Sequence, residues 1–159
     1  SGTIALTKQR MDVQEILYDV AQRYESAAQE RGLSIRLNVA DPFPEVYGNP
    51  DRTEQVLIIL LDNAIKHGSA DEPLALGAEI SGDKVLVHVS NAGTIAEEDI
   101  AHLFERFYKA DRSHSGEGTG LGLSIAQEIM SLLDEKIWAQ NRNGRVEFTF
   151  TLSLNAEKV

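Results

Sequence analysis

Residues 116–123 read Gly116-Glu117-Gly118-Thr119-Gly120-Leu121-Gly122-Leu123, four glycines at strict two-residue spacing that run straight into an apolar segment. Glycine lets backbone amides approach a ligand closely, and a helix start offers unpaired N–H groups and the positive end of a dipole. A flexible linker is the bland alternative, but linkers rarely feed directly into an apolar helix. The stretch therefore reads as a phosphate-binding loop. It is neither of the two common ones. The pattern GxGxxG fails because the sixth position, counted from Gly116 or Gly118, is Leu121 or Leu123. Walker A fails because no lysine lies between Lys109 and Lys136. A dinucleotide-binding doubly wound fold and a P-loop fold are both excluded.

Upstream lies Phe104-Glu105-Arg106-Phe107-Tyr108-Lys109, followed by polar and small residues as far as Thr119. Long irregular segments inside compact domains are usually lids or disordered. Phe104 and Phe107 are expected to anchor the base of this one in the core, and Lys109 to reach phosphates. A second constellation sits in QVLIILLDNAIKHG, residues 55–68. Asn63 and Lys66 stand at i and i+3 on a helix and share a face, so an amide and an ammonium can meet one ligand. An amide oxygen is a hard neutral ligand suited to Mg²⁺, which keeps waters and shares phosphate oxygens. Taken alone, the pair reads as a solvated helix face. Beside a separate phosphate loop it reads as part of a site.

Around these segments the apolar periodicity predicts a helix over 12–31 stopped by Gly32, and a half-buried strand over 33–39. An irregular Pro-rich connection is expected over 41–50, then a helix beginning near Asn49 or Asp51 and closing at His67-Gly68. Strands at 74–80 and 84–90 are joined at Gly82-Asp83, a hairpin signal. A short helix (97–107), a third long helix (about 121–133) and strands at 136–140 and 146–154 complete the chain, the last two split by the turn 141–144. Hairpin-joined strands among helices favour an α/β (α+β) two-layer sandwich, with a mixed sheet of about five strands and three main helices on one face.

Composition bounds the function. The chain has 159 residues, 15 basic against 25 acidic side chains, a net charge of −10, and no cysteine. A chain of roughly 150 residues buries enough surface for a proper core without staples. Disulfides, thiolate metal sites and cysteine nucleophiles are excluded. An acidic chain lacks the electrostatic footprint of a nucleic-acid binder, and its longest aliphatic run, Val56 to Leu61, is too short to span a bilayer. Residues 1–11 are expected to lie outside the domain, as a cloning scar or linker remnant, with the domain itself at 12–159.

The order of these segments resembles the catalytic and ATP-binding domain of bacterial sensor histidine kinases, members of the GHKL superfamily with its Bergerat-type fold. The resemblance runs from about residue 12 to 153 and is most specific at DNAIKH (62–67), FERFYKADRS (104–113) and GTGLGLSIA (118–126). It implies binding of ATP with Mg²⁺ and transfer of the γ-phosphoryl group to a histidine. Asn63 resembles the residue that holds Mg²⁺, and Lys66 a phosphate-contacting lysine. His67 stands where an aromatic residue flanks the nucleotide. Tyr108 and Lys109 follow the F-box, with Lys109 at a basic position. Gly118, Thr119, Gly120, Leu121, Gly122 and Leu123 correspond to the loop and helix start over the triphosphate. Asn91, Gly93 and Ile95 correspond to the G1 box around the base. Asn63, Lys66 and Lys109 are the implied catalytic set.

Four departures from the family pattern stand out. Asn91 replaces the aspartate that accepts a hydrogen bond from the adenine amino group. Its carbonyl oxygen can still accept, without the charge that roughly doubles such a bond. An asparagine amide can equally turn and donate to guanine O6, which leaves base preference open. The second G1 glycine is missing. Ile59, four residues before Asn63, stands where GHKL ATPases place a water-activating glutamate, and it cannot take a proton. Leu133-Asp134-Glu135 replaces a His-Gly-Gly turn, as a structural variation only.

None of His67, His88, His102 or His114 has the context of a phosphoacceptor. The resemblance therefore implies a separate dimerisation domain carrying that histidine, a response regulator, and a monomeric, cytoplasmic domain without direct membrane contact. The parent would be anchored in the plasma membrane. An anti-sigma-type serine kinase and a degenerate GHKL regulatory module are the rival readings. FERFYKADRS argues against the first. Asn63, Lys66 and the four-glycine loop argue against the second.

Overall fold

A computed structural model describes residues 6–108 and 120–156. In chain order the elements are β1 (Gln9–Met11), α1 (Val13–Glu30), β2 (Ile35–Asn38), β3 (Val46–Gly48), α2 (Pro50–His67), β4 (Leu74–Ser81), β5 (Lys84–Ala92), α3 (Glu97–Ile100), α4 (Gly122–Leu132), β6 (Ile137–Arg142) and β7 (Arg145–Ser153). The helix ends follow from local chemistry. Asp12 caps α1 by accepting from the Glu15 N–H at 3.0 Å, and Asn49 caps α2 in the same way from Arg52, with Pro50 in the first turn. Past the end of α1, Gly32 takes a positive φ of 73°. Leu33 N–H then reaches Ala28 O and Gly32 N–H reaches Gln29 O, a Schellman closure.

The sheet has seven strands in the order β1-β3-β7-β5-β4-β2, with β6 also paired to β7. Only β2 and β4 run parallel; the other pairs are antiparallel. Because β5 pairs along the whole of β7, strands β6 and β3 share the opposite edge of β7, one after the other. Alternation sorts the faces. Leu74, Leu76, Val85, Val87, Val89, Phe148, Phe150 and Leu152 point to the helix layer and are buried. Glu79, His88, Glu147 and Thr149 point the other way, where His88 bonds Thr149 and Glu79. Leu17, Leu57, Leu60, Leu61 and Met130 close the core from α1, α2 and α4. Each such side chain contributes about 1.5–3 kcal/mol on burial.

The two-layer α/β sandwich with a mixed sheet and helices on one face is as expected, but the sheet has seven strands rather than about five. The additions are β1 and β3, three-residue strands too short to show a period. Strand β3 lies in the stretch read as irregular, and β1 draws Gln9–Met11 into the domain, ahead of the expected boundary at residue 12. The short helix is α3 alone, four residues, with turns carrying the chain on to Tyr108. Strand β6 continues to Arg142, so the turn is only Asn143-Gly144, both at positive φ as a two-residue hairpin turn needs.

The Leu133-Asp134-Glu135 turn is more than a variation. Asp134 takes the left-handed conformation (φ 58°) that a glycine would supply. The Glu135 side chain is 1% exposed, beside the edge shared by β6 and β3. It accepts from Thr151 Oγ1 and Ser153 Oγ at 2.7 Å each, from Lys84 Nζ at 2.8 Å and from Lys8 Nζ at 3.2 Å. Burial alone would raise its pKa, but the bonds from Lys84, Thr151 and Ser153 and the charge of Lys8 outweigh it and hold the carboxyl below its ordinary value of 4.5. A lowered folded-state pKa contributes stability above the ordinary value that is lost as pH falls through the lowered one.

Glu135→Gln is expected to lower unfolding free energy at pH 7 by about 1–3 kcal/mol, and its gap to wild type should shrink below about pH 4. Urea titrations at the two pH values check this; a gap independent of pH contradicts it. Thr53, on α2, is fully buried and its hydroxyl has no partner. Thr53→Val is expected to raise stability by about 1 kcal/mol, read as a higher denaturation midpoint. A lower midpoint would show that the hydroxyl is satisfied in solution.

Candidate functional site

Burying one face of α2 decides where its polar residues go. Val56, Leu57, Leu60, Leu61, Ala64 and Ile65 are at most 5% exposed, facing the sheet and the neighbouring helices. Ile59, Asn63 and Lys66 then fall on one line at i, i+4 and i+7. Ile59 lies against the start of α4: a Cβ built on Gly122 would be 3.4 Å from Ile59 Cγ2. Asn63 follows one turn later, half-buried, and its amide takes no hydrogen-bond partner among the described residues. Lys66 pairs with Asp62 at 3.1 Å, an exposed i,i+4 pair worth little in itself. His67 is the last residue of α2 and exposed.

Helix α4 begins differently from α1 and α2. Its flanking residue Leu121 supplies no side-chain cap, and Ser124 Oγ donates to Leu121 O at 2.8 Å rather than accepting from the first-turn amides. The N–H groups of that turn are the ones a helix cannot satisfy internally. Gly120, just before it, has φ 75°, and a Cβ there would lie 2.7 Å from the Cα and 2.8 Å from the carbonyl carbon of Phe107. Phe107 N–H donates to Gly120 O at 2.8 Å, so the two backbones touch where only glycine fits. Leu121 and Leu123 are half-buried, and Leu123 packs on the core.

Phe104 anchors the preceding segment as expected, edge-on to Phe148 with ring centroids 6.1 Å apart. Phe107 does not: it is 68% exposed, with φ 64°. Its positive φ turns the side chain out while its N–H holds Gly120. Tyr108 stacks against His102 at 5.3 Å between centroids and donates its hydroxyl to Asp99. Lys109, Gly118 and Thr119 lie outside the described residues.

The third part of the site is the end of β5. Asn91 is only 3% exposed. Its Nδ2 donates to Ala92 O at 3.0 Å, which fixes the amide, since a flip would set oxygen against oxygen. No donor reaches its Oδ1 among the described residues. Gly93 (φ 139°) donates its N–H to Gly144 O at 3.0 Å. Ile95 is held by the side chain of Asn141 at both backbone groups, 2.9 Å and 2.7 Å. The sequence reading missed Asn141, placing it in a turn. The available signal was a polar residue continuing the inward series Ile137, Ala139.

These residues suit a nucleotide with Mg²⁺. An acceptor without a donor on a residue only 3% exposed suits an exocyclic amino group, an uncapped helix start suits phosphates, and a neutral amide oxygen suits a hard cation. No group of three or more His, Asp or Glu side chains among the described residues is placed to hold a metal by itself. A cation here would share its ligands with phosphate oxygens and water.

Residues 48–156 match the family described as histidine kinase-, DNA gyrase B- and HSP90-like ATPases. The sensor histidine kinase YkoH of Bacillus subtilis is 39% identical over 130 residues, which cover 80% of this chain and 26% of that protein. The chain spans about a third of the length of the curated relatives it matches. The catalytic domain of the histidine kinase ThkA, solved nucleotide-free, superposes with a TM-score of 0.82 at 28% identity, covering 94% of this chain and 97% of that one. ThkA has also been solved in complex with the response regulator protein TrrA. Full-length ShkA in complex with AMPPNP gives a TM-score of 0.83 at 26% identity, covering 99% of this chain and 34% of that one. No helix among the described residues is long and apolar enough to cross a membrane. Sequence match and shared fold lead to one assignment: the chain belongs to the histidine kinase-, DNA gyrase B- and HSP90-like ATPases, among the ATP-binding catalytic domains of sensor histidine kinases.

Proposed function

We propose that this domain binds Mg-ATP between α2, the start of α4 and the end of β5, and presents the γ-phosphoryl group to a histidine carried by a separate dimerisation domain of its parent. The observation that carries the reading is the line Ile59-Asn63-Lys66, which the buried face of α2 sets running past the uncapped start of α4. In this reading Asn63 ligates Mg²⁺, and Lys66 exchanges Asp62 for a phosphate oxygen. The first-turn amides of α4 receive the phosphates, while Asn91, Gly93 and Ile95 take the base. Lys109, Gly118 and Thr119 are assigned by sequence to the phosphate side. Bound Mg²⁺ supplies neutralisation of phosphate charge, which with positioning makes up most of the catalysis in phosphoryl transfer.

The geometry of Asn91 bears on the base question left open by the sequence. One Nδ2 hydrogen bonds Ala92 O and holds the amide in this orientation, which leaves Oδ1 to accept and so supports the adenine amino group over guanine O6 at that atom. The same geometry speaks against a degenerate module that has lost nucleotide binding. Ile59 cannot activate water and packs on the start of α4, which supports transfer to an outside nucleophile over hydrolysis. By extension the partners are the phosphoacceptor domain and a response regulator, on the cytoplasmic side of a membrane-anchored parent.

Calorimetric titration with AMPPNP is expected to show binding that needs Mg²⁺ and fails with chelator, with Asn63→Ala at least about tenfold weaker. The guanine analogue should bind at least about tenfold less tightly than AMPPNP. No heat at millimolar nucleotide would overturn the proposal. Equal affinity for both bases would overturn the role of Asn91.

A further inference from the structure

The segment after β5 is one residue shorter than the sequence pattern it resembles, yet it is held firmly, and the holding comes from one hairpin. At its first point, Gly93 N–H donates to Gly144 O at 3.0 Å, extending the β5–β7 ladder by one bond past the last pair, Ala92 with Arg145. At its second, the Asn141 amide pairs with both backbone groups of Ile95. Its Oδ1 accepts from the Ile95 N–H at 2.9 Å, and its Nδ2 donates to Ile95 O at 2.7 Å. The remaining Nδ2 hydrogen faces Glu97 Oε1 at 3.3 Å. An amide side chain that gives and takes in this way reproduces a rung of a sheet where the chain has already left the sheet.

The place of Asn141 in the sheet explains why the pairing works. It is opposite Val146 in register, so it occupies a position facing the helix layer, where Ile137 and Ala139 precede it and pack on the core. There it meets segment 93–97, through Ile95 and Glu97. The demand is for an acceptor and a donor side by side, which an amide offers. Aspartate would set a carboxylate against Ile95 O and Glu97, while leucine or alanine would leave both Ile95 backbone groups without partners.

We infer that Asn141 is a positioning residue for base binding: it fixes the Gly93–Ile95 segment beside the free acceptor of Asn91 and so sets affinity for the base end of the nucleotide. The inference rests on the proposal that Asn91, Gly93 and Ile95 take the base. Asn141 touches neither phosphates nor metal in this arrangement, so its removal acts on one end of the ligand only.

The test compares wild type with Asn141→Ala and Asn141→Ser. Two ligands are used, Mg-AMPPNP by calorimetry and the base-free Mg-tripolyphosphate by competition against it, alongside thermal melts. Asn141→Ala is expected to weaken AMPPNP about tenfold, with tripolyphosphate unchanged and the melting temperature within about 4 °C of wild type. Asn141→Ser, whose hydroxyl is one bond shorter than either amide group and cannot make both bonds, should also weaken AMPPNP and leave tripolyphosphate unchanged. Unchanged AMPPNP affinity in Asn141→Ala overturns the inference and leaves the nucleotide reading standing. An equal loss for both ligands also overturns it, because that marks general damage. Failure of the wild type to bind Mg-AMPPNP removes the nucleotide reading and this inference together.

Discussion

Everything in the site depends on the burial of one face of α2. Six apolar side chains from Val56 to Ile65 are packed against β5, α1 and α4, and turning the helix by one residue would expose several of them. At about 0.8 kcal/mol per buried methylene, such a rotation is far too costly to occur. The line Ile59-Asn63-Lys66 is therefore set by residues that never touch a ligand. Its meeting with the start of α4 is a consequence of packing, sealed where Ile59 lies against Gly122 and where Gly120 lets the Phe107 backbone approach.

Polar residues then fix what the apolar core cannot reach. Arg145 leaves β7 to bond Ser90 and the carbonyl of Pro73, tying the connection after α2 to the sheet. Arg31 donates to Lys66 O and so links the end of α1 to the end of α2. Glu135 joins Lys8, Lys84, Thr151 and Ser153 beside the edge of β7 that β6 and β3 share. Asn141 holds Ile95. Each sits at a boundary of the helix layer or the sheet. A polar side chain bonded there is satisfied only in one arrangement, so it specifies a loop conformation that hydrophobic contacts alone would leave loose.

The long elements were legible because their periods are long. α1, α2, α4 and the β4–β5 hairpin each show enough turns or alternations to be read from Val13, Leu57, Ala126 or Val87 and their neighbours. β1 and β3 were not, because a three-residue strand has no period and gains its place only from β7 and from each other. The outward turn of Phe107 was also hidden, since an aromatic beside Phe104 reads as core until the backbone φ is known. At the site, Asn63, Lys66 and the glycines announce themselves by spacing. Asn91 was visible as a departure, but the free direction of its oxygen depends on the Ala92 carbonyl. Glu135 was out of reach, because it looked like a neutral replacement; Asn141 looked like a turn residue, and only its place in the series Ile137, Ala139 hinted at more. Both act through partners distant in sequence.

A crystal structure of the domain soaked with Mg²⁺ and AMPPNP tests the account most directly. The account predicts the adenine amino group within hydrogen-bond distance of Asn91 Oδ1, Mg²⁺ on the Asn63 amide oxygen, and phosphate oxygens at the first-turn amides of α4. A nucleotide seated elsewhere, or one whose base leaves Asn91 Oδ1 without a donor, would contradict it.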